Sequence, residues 1–160
     1  MEPNEDEIYV VDGNYNVPIK YKKLNKNAAA PTQGSAEAAG FDLYAAINED
    51  LAIPAHSTTK IGTGIAMEIP HGTFGAIFAR SGLATKQGLR PANCVGVIDS
   101  DYRGEIIVAV HNDTDLEQTI AAGDRIAQLV VIPFLPIRFI EVEELTDTDR
   151  GEGGFGSTGK

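Results

Sequence analysis

The sequence predicts an all-β chain, folded as a jelly-roll-like antiparallel β-barrel or sandwich. Three observations carry this. Short runs rich in Val, Ile, Thr and Tyr recur along the 160 residues, set apart by turn residues about every 8–12 positions. No stretch holds the 3.6-residue spacing of a long amphipathic helix. Seventeen glycines and eight prolines punctuate the runs.

Residues 1–16 are acidic and Asn-rich and read as a loose N-terminal arm, with only a short apolar run at Ile8–Val11. Pro18–Leu24 alternates, Ile19 and Tyr21 against Lys20 and Lys22, and reads as the first strand of a domain spanning 17–142. Asn25–Ala39 is a loop by composition. Gly40–Ala46 is a strand carrying Asp42 among apolar neighbours. Leu51–Pro54 and Ser57–Ile61 are short strands, Thr63–Ile69 another that ends at Pro70, and Phe74–Ala79 the next after a His71-Gly72 turn. A short helix is expected from Ser81 to Lys86, with Ser81 as its N-cap and Gly88 as its end. Val95–Val110 reads as a hairpin, its turn made from Asp99, Ser100, Asp101 and Gly104. Gln118–Ile120 is a short strand between the turns Asn112–Asp115 and Ala122–Asp124. Ile126–Phe134 is a near-continuous apolar run, and Arg138–Val142 a last edge strand. That gives about ten strands. From Glu143 to Lys160 the chain turns acidic and then Gly-rich, a C-terminal arm.

Composition bounds the function. A formal net charge of −10 argues against general nucleic-acid binding, since phosphate contacts need Lys and Arg. No apolar run approaches the ~20 residues of a membrane span. The N-terminus has no basic-then-apolar signal pattern. One cysteine, Cys94, leaves no internal disulfide and no Cys-rich metal site, which fits a reducing, intracellular compartment. Cys94 reads as a small buried apolar residue. His56, His71 and His111 lack metal-ligand spacing and read as structural or solvated. The glycosylation triplet Asn112-Asp113-Thr114 is discounted as a chance match.

Four segments carry possible chemistry. Asp99 and Asp101 flank a tight turn, where a carboxylate held on strands can take a proton from water, though Asp also simply suits turns. Arg80-Ser81-Gly82 offers a guanidinium, a hydroxyl and permissive backbone for an anion, or else a helix cap with a surface Arg. Gln128 must send its amide to backbone or ligand, and Asp124-Arg125 is compatible with a surface ion pair. The tail Gly154–Lys160 matches phosphate-loop patterns, but no helix can follow it. A Gly-rich segment with hydroxyls, Arg150 and Lys160 can still wrap phosphates, and Phe155 can stack on a ring.

Read together, Ala39–Ala45, Arg80–Ala84, Gly96–Ile106, Gly123–Leu129 and Arg150–Gly159 resemble, in order and at similar separations, the five motifs of the trimeric dUTPase family. The resemblance spans about residues 17–160. It implies a jelly-roll homotrimer with sites built from three chains, hydrolysing dUTP to dUMP and pyrophosphate with Mg²⁺. That reaction limits uracil incorporation into DNA and supplies dUMP for thymidylate synthesis. It implies Asp99 as the general base and Tyr102 beneath the deoxyribose. Asn93, Val95, Gly96, Val97 and Ile98 would meet the uracil edge, and Arg80, Ser81, Gly82 and Gln128 the phosphates. Arg150, Gly156, Ser157 and Thr158 would close on the phosphates, Phe155 on the base, and Asp42 would support the site. Mg²⁺ would be held by phosphates and water, with no direct protein ligand. The partners implied are substrate and other copies of the chain, with no nucleic acid and no membrane, in the cytoplasm or, for a eukaryotic or viral protein, the nucleus or host cell. Two other readings stay open. A dCTP deaminase would need a different hairpin and a Glu at the base's amino group. A nucleotide-gated interaction protein would use the arm or the ordered tail as its contact.

Overall fold

A computed structural model describes residues 9–11 and 14–154. Strands follow the turn residues closely: β1 (Tyr9–Val11), β2 (Asn14–Asn16), β3 (Tyr21–Lys23), β4 (Thr32–Gln33), β5 (Phe41–Tyr44), β6 (Leu51–Ile53), β7 (Thr58–Gly62), β8 (Ile65–Met67) and β9 (Thr73–Phe78). Then come α1 (Ser81–Gln87), β10 (Leu89–Pro91), β11 (Gly96–Ile98), β12 (Ile107–Asn112), β13 (Gln118–Ile120) and β14 (Arg125–Pro133).

Two ladders dominate, a five-stranded sheet in the order β11-β9-β14-β5-β4 and a three-stranded sheet in the order β10-β12-β7. The pairs β13-β6, β3-β8 and β1-β2 complete the set, and every pairing is antiparallel. Apolar side chains from both sheets meet in one core: Leu43, Ile77, Ile126 and Leu129 from the larger, Ile61, Leu89, Val108 and Val110 from the smaller. This is a jelly-roll-like sandwich, and its strands close no barrel. Alternation does the sorting. In β12, Val108, Val110 and Asn112 point in while Ile107 is exposed.

Several elements depart from the sequence expectation. Gly96–Ile98 pairs with β9, whereas Ile107–Asn112 pairs with β7 and β10. The expected hairpin is therefore a connection between the two sheets. β11 takes the six-residue β9 as its partner, and β12 lies between β10 and β7. β10 and the two-residue β4, on Asp42 and Phe41, were not anticipated. The arm carries the ladder β1-β2. Arg138–Val142 forms no strand; its residues are exposed, with Phe139 at 91%. α1 is capped one position earlier than expected and runs one residue longer, to Gln87. Arg80 occupies the cap in extended conformation with no side-chain cap, and Ser81 lies in the first turn. Gly88 does end the helix, at φ 65° in the left-handed region. Asn112 is fully buried, which removes it as a glycosylation acceptor.

Candidate active site

One row of residues crosses the outer face of the five-stranded sheet. Thr32 faces Asp42, Asp42 faces Gln128, and Gln128 faces Phe78. Above it lies a cleft of about 420 Å³ lined by Asp42, Arg80, Ser81, Gly82, Arg125 and Gln128. Directly opposed residues share a face of the pleat, so the pairing register itself gathers these groups.

A β-bulge completes the set. Arg125 pairs with Tyr44 and Ala127 with Leu43, which leaves Ile126 as the extra residue. Without it, Arg125 would share the inward parity of Ala127 and Leu129. With it, Ile126 and Ala127 are both buried and Arg125 turns out to the cleft. The Asp42 carboxylate then spans two guanidiniums: Oδ1 accepts from Arg80 Nε at 2.7 Å and Oδ2 from Arg125 Nη1 at 3.1 Å. The Asp42 side chain is only 14% exposed. Gln128 Nε2 donates to the Ala79 carbonyl at 2.8 Å, and its Oε1 lies against Gly40, where an added Cβ would have to push that amide aside. Two cations against one carboxylate, with a hydroxyl and an amide beside them, offer donors of the kind that bind polyanions. The sequence expectation for Asp42, Arg80, Ser81, Gly82 and Gln128 thus names residues that fold together. It missed Arg125, which pairs with Asp42 rather than Asp124. Asp124 instead accepts from the Ala121 N–H at 2.8 Å. Two apolar residues running straight on from Arg125 were the available signal of the bulge.

A second cluster lies on Gly96–Ile98 and the turn after it. Asn93, Val95 and Val97 are exposed, and Gly96 packs on Ile77. The turn is tied down at several points. The Tyr102 N–H donates to the Asp99 carbonyl at 3.1 Å, and the Tyr102 hydroxyl to the Glu105 carbonyl at 2.9 Å. Glu105 Oε1 accepts from the Gly64 N–H at 2.8 Å, and the Ile106 N–H donates to the Ile65 carbonyl at 2.8 Å. The Asp99 carboxylate is left exposed on a braced loop.

One chain does not bring the two clusters together. Ile98 pairs with Gly75, so Asp99 falls level with Phe74 near the start of β9, while Arg80 follows its end. About six residues of extended strand, at about 3.3 Å each, hold them roughly 20 Å apart. Arg150 lies in an exposed C-terminal segment, its Nε donating to the Gly153 carbonyl at 2.8 Å. Phe155, Gly156, Ser157 and Thr158 lie outside the described residues.

Cys94 is exposed rather than buried, at φ 63°, with Arg90 Nη1 3.9 Å from its sulfur. Arg90 forks onto Asp113, Nε to Oδ2 at 2.7 Å and Nη2 to Oδ1 at 3.0 Å. That guanidinium holds the Asp113 carboxyl below the usual carboxylate range, and Asp113 in turn raises Arg90. His56 meets Asp115 at 2.8 Å, and His111 meets Thr58 at 2.9 Å. Among the described residues no group of three or more His, Cys, Asp or Glu could hold a metal ion, and no helix is long and apolar enough to cross a membrane.

The sequence pattern of the dUTPase family matches residues 26–159. A deoxyuridine 5'-triphosphate nucleotidohydrolase of Candida albicans is 52% identical over 144 residues, covering 89% of this chain and 88% of that protein. One from Desulfitobacterium hafniense is 49% identical over 144 residues, covering 89% and 95%. Among solved structures, the dUTPase of Staphylococcus bacteriophage 80alpha with dUPNHPP is similar at a TM-score of 0.80 and 30% identity, covering 89% of this chain and 98% of that one. A mutant dUTPase from phage phi11 of S. aureus, described with a structural Mg(II) ion, is similar at 0.71 and 26%, covering 79% and 97%.

Proposed function

The chain belongs to the dUTPase family, and from that we propose how its residues divide the hydrolysis of dUTP to dUMP and pyrophosphate. The separation of Asp99 from the Arg80 cleft along β9 carries the proposal. A site needing both is assembled between copies, and a closed ring of three identical chains supplies each site with one of each. The Gly-rich tail of the third chain closes over it.

The cleft takes the phosphates. Arg80 and Arg125, pre-set by Asp42, offer fixed forks to phosphate oxygens, with Ser81, Gly82 and Gln128 beside them. Arg150, Gly156, Ser157 and Thr158 grip the terminal phosphate end, and Phe155 covers the base. Asn93 and Val95–Ile98 meet the uracil edge with backbone groups. Thymine's methyl would collide there, and cytosine presents its donor and acceptor reversed. Tyr102 sits under the deoxyribose and leaves no room for a 2′-hydroxyl. Asp99 takes a proton from water as its oxygen attacks the α-phosphorus; the bond to the bridging oxygen breaks and pyrophosphate leaves in line. The donor set fits Mg²⁺ carried on the substrate: the cleft's lining carboxylate, Asp42, is engaged by two guanidiniums, and hard Mg²⁺ prefers phosphate oxygens and water. When bound there, it neutralises charge on the departing pyrophosphate. We place the activity inside cells, with the nucleotide pool.

Asp99→Asn tests the assignment. Its shape is kept and its basicity lost, so dUTP still binds while turnover falls about 10²- to 10⁴-fold. Near-normal pyrophosphate release by that variant would remove Asp99 as the base.

A further inference from the structure

The turn Pro91–Val95 joins β10 to β11 and contains a strained residue. Cys94 has φ 63°, a conformation in which a Cβ crowds its neighbouring carbonyl. Something must hold it there. The Cys94 N–H donates to the Pro91 carbonyl at 3.1 Å, and the Val95 N–H to the Asn93 carbonyl at 2.7 Å. Arg90 adds the rest. Its Nη1 donates to the same Pro91 carbonyl at 3.2 Å and lies 3.9 Å from the Cys94 sulfur. Its other two nitrogens are fixed on Asp113, just past the end of the neighbouring strand β12. A guanidinium is planar, so a fork locked on Asp113 fixes where the third nitrogen points.

We propose that Arg90 is a positioning residue for base selection: anchored on Asp113, it holds the Pro91–Val95 turn in the left-handed form that presents Asn93 and Val95–Ile98 to the uracil edge. The inference rests on those residues meeting the base. Arg90 touches no substrate and acts through the turn. The loop bearing Asp99 has its own ties, through Tyr102, Glu105 and Ile106. Loss of Arg90 therefore weakens base recognition and leaves the chemical step alone.

The test is steady-state pyrophosphate release from dUTP and dCTP by Arg90→Ala and Arg90→Lys, each made alone and together with Cys94→Gly. Arg90→Ala raises KM for dUTP about 10-fold and erodes the preference for dUTP over dCTP by a similar factor, with kcat within about twofold. Arg90→Lys does not rescue, because a point charge cannot fork onto Asp113 and reach the turn at once. In the Cys94→Gly background glycine takes the left-handed form freely, so Arg90→Ala then shifts KM less than about twofold. An equal KM rise in both backgrounds overturns the proposal, as does a fall in kcat with KM unmoved. Asn93→Ala separates the underlying reading. If it raises KM for dUTP while Arg90→Ala does not, the positioning role alone fails; if it leaves KM untouched, the base-facing assignment fails and the inference with it. Should Arg90→Ala not fold, Asp113→Asn loosens the same anchor, and the same KM-without-kcat signature is required of it.

Discussion

At the scale of single residues, charge and backbone parity decide what each group does. Asp42 keeps two guanidiniums side by side. Its replacement by Ala leaves them facing each other, so the loss falls on phosphate affinity as well as on folding. Asp113 has a pH signature. Its carboxyl, bonded to Arg90, titrates below its unfolded value, so its contribution to stability is present above the ordinary Asp range and disappears as pH falls through the folded value. Unfolding midpoints in urea should therefore separate the natural chain from Asp113→Asn above about pH 5 and converge only at pH values below the ordinary Asp range. A gap that persists at acid pH would show that the carboxylate's charge is not what Arg90 uses. Much of this scale was legible beforehand. Asp42, Arg80, Ser81, Gly82 and Gln128 stand at strand ends or inside apolar runs, where a polar group needs a reason. Arg125 and Cys94 were not legible. A bulge changes which way Arg125 points, and the left-handed turn pushes Cys94 into solvent, and both depend on pairing that local pattern does not encode.

Strands and turns were legible in number and place more than in partnership. Apolar and β-branched runs mark β5, β9, β12 and β14, yet they cannot say that Gly96–Ile98 joins β9 while Ile107–Asn112 joins β7. Partner choice is a matter of long-range burial. Arg138–Val142 shows the opposite case, a strand-like pattern without an edge to join in its own chain. Asn112 is a joint between elements. Its Nδ2 donates to the carbonyls of Ile53, Pro54 and Leu116, and its Oδ1 accepts from the N–H and hydroxyl of Thr114. It is fully buried, so Asn112→Ala strands several polar groups at once. The expected cost is about 3 kcal/mol in chemical denaturation, with KM unchanged in whatever protein remains folded. A cost under about 1 kcal/mol would mean that water replaces the amide.

For the whole molecule, the fold class followed from turn spacing, and the five motifs in order pointed to the family. The division between copies that we propose was not visible in composition or period. What supports it is the register of β9, which sends Asp99 and Arg80 to opposite ends. Mixing inactive Asp99→Asn chains with inactive Arg80→Ala chains, followed by refolding together, tests this directly. In randomly mixed trimers roughly a quarter of the sites receive both natural residues, and activity should return to about that level. Mixed trimers that form and remain inactive would place both groups in one chain's site.

The exposed apolar stretch after β14, with Leu135 at 82%, Ile137 at 73% and Phe139 at 91%, bears on the life of a newly made chain. Within one chain this segment is uncovered, and under the assembly proposed above the same chain is chemically silent until other copies arrive. Under that assembly synthesis alone does not produce an enzyme; company does. Scarcity of the protein is therefore self-amplifying: where copies are few, each is both idle and exposed to proteolysis and clumping.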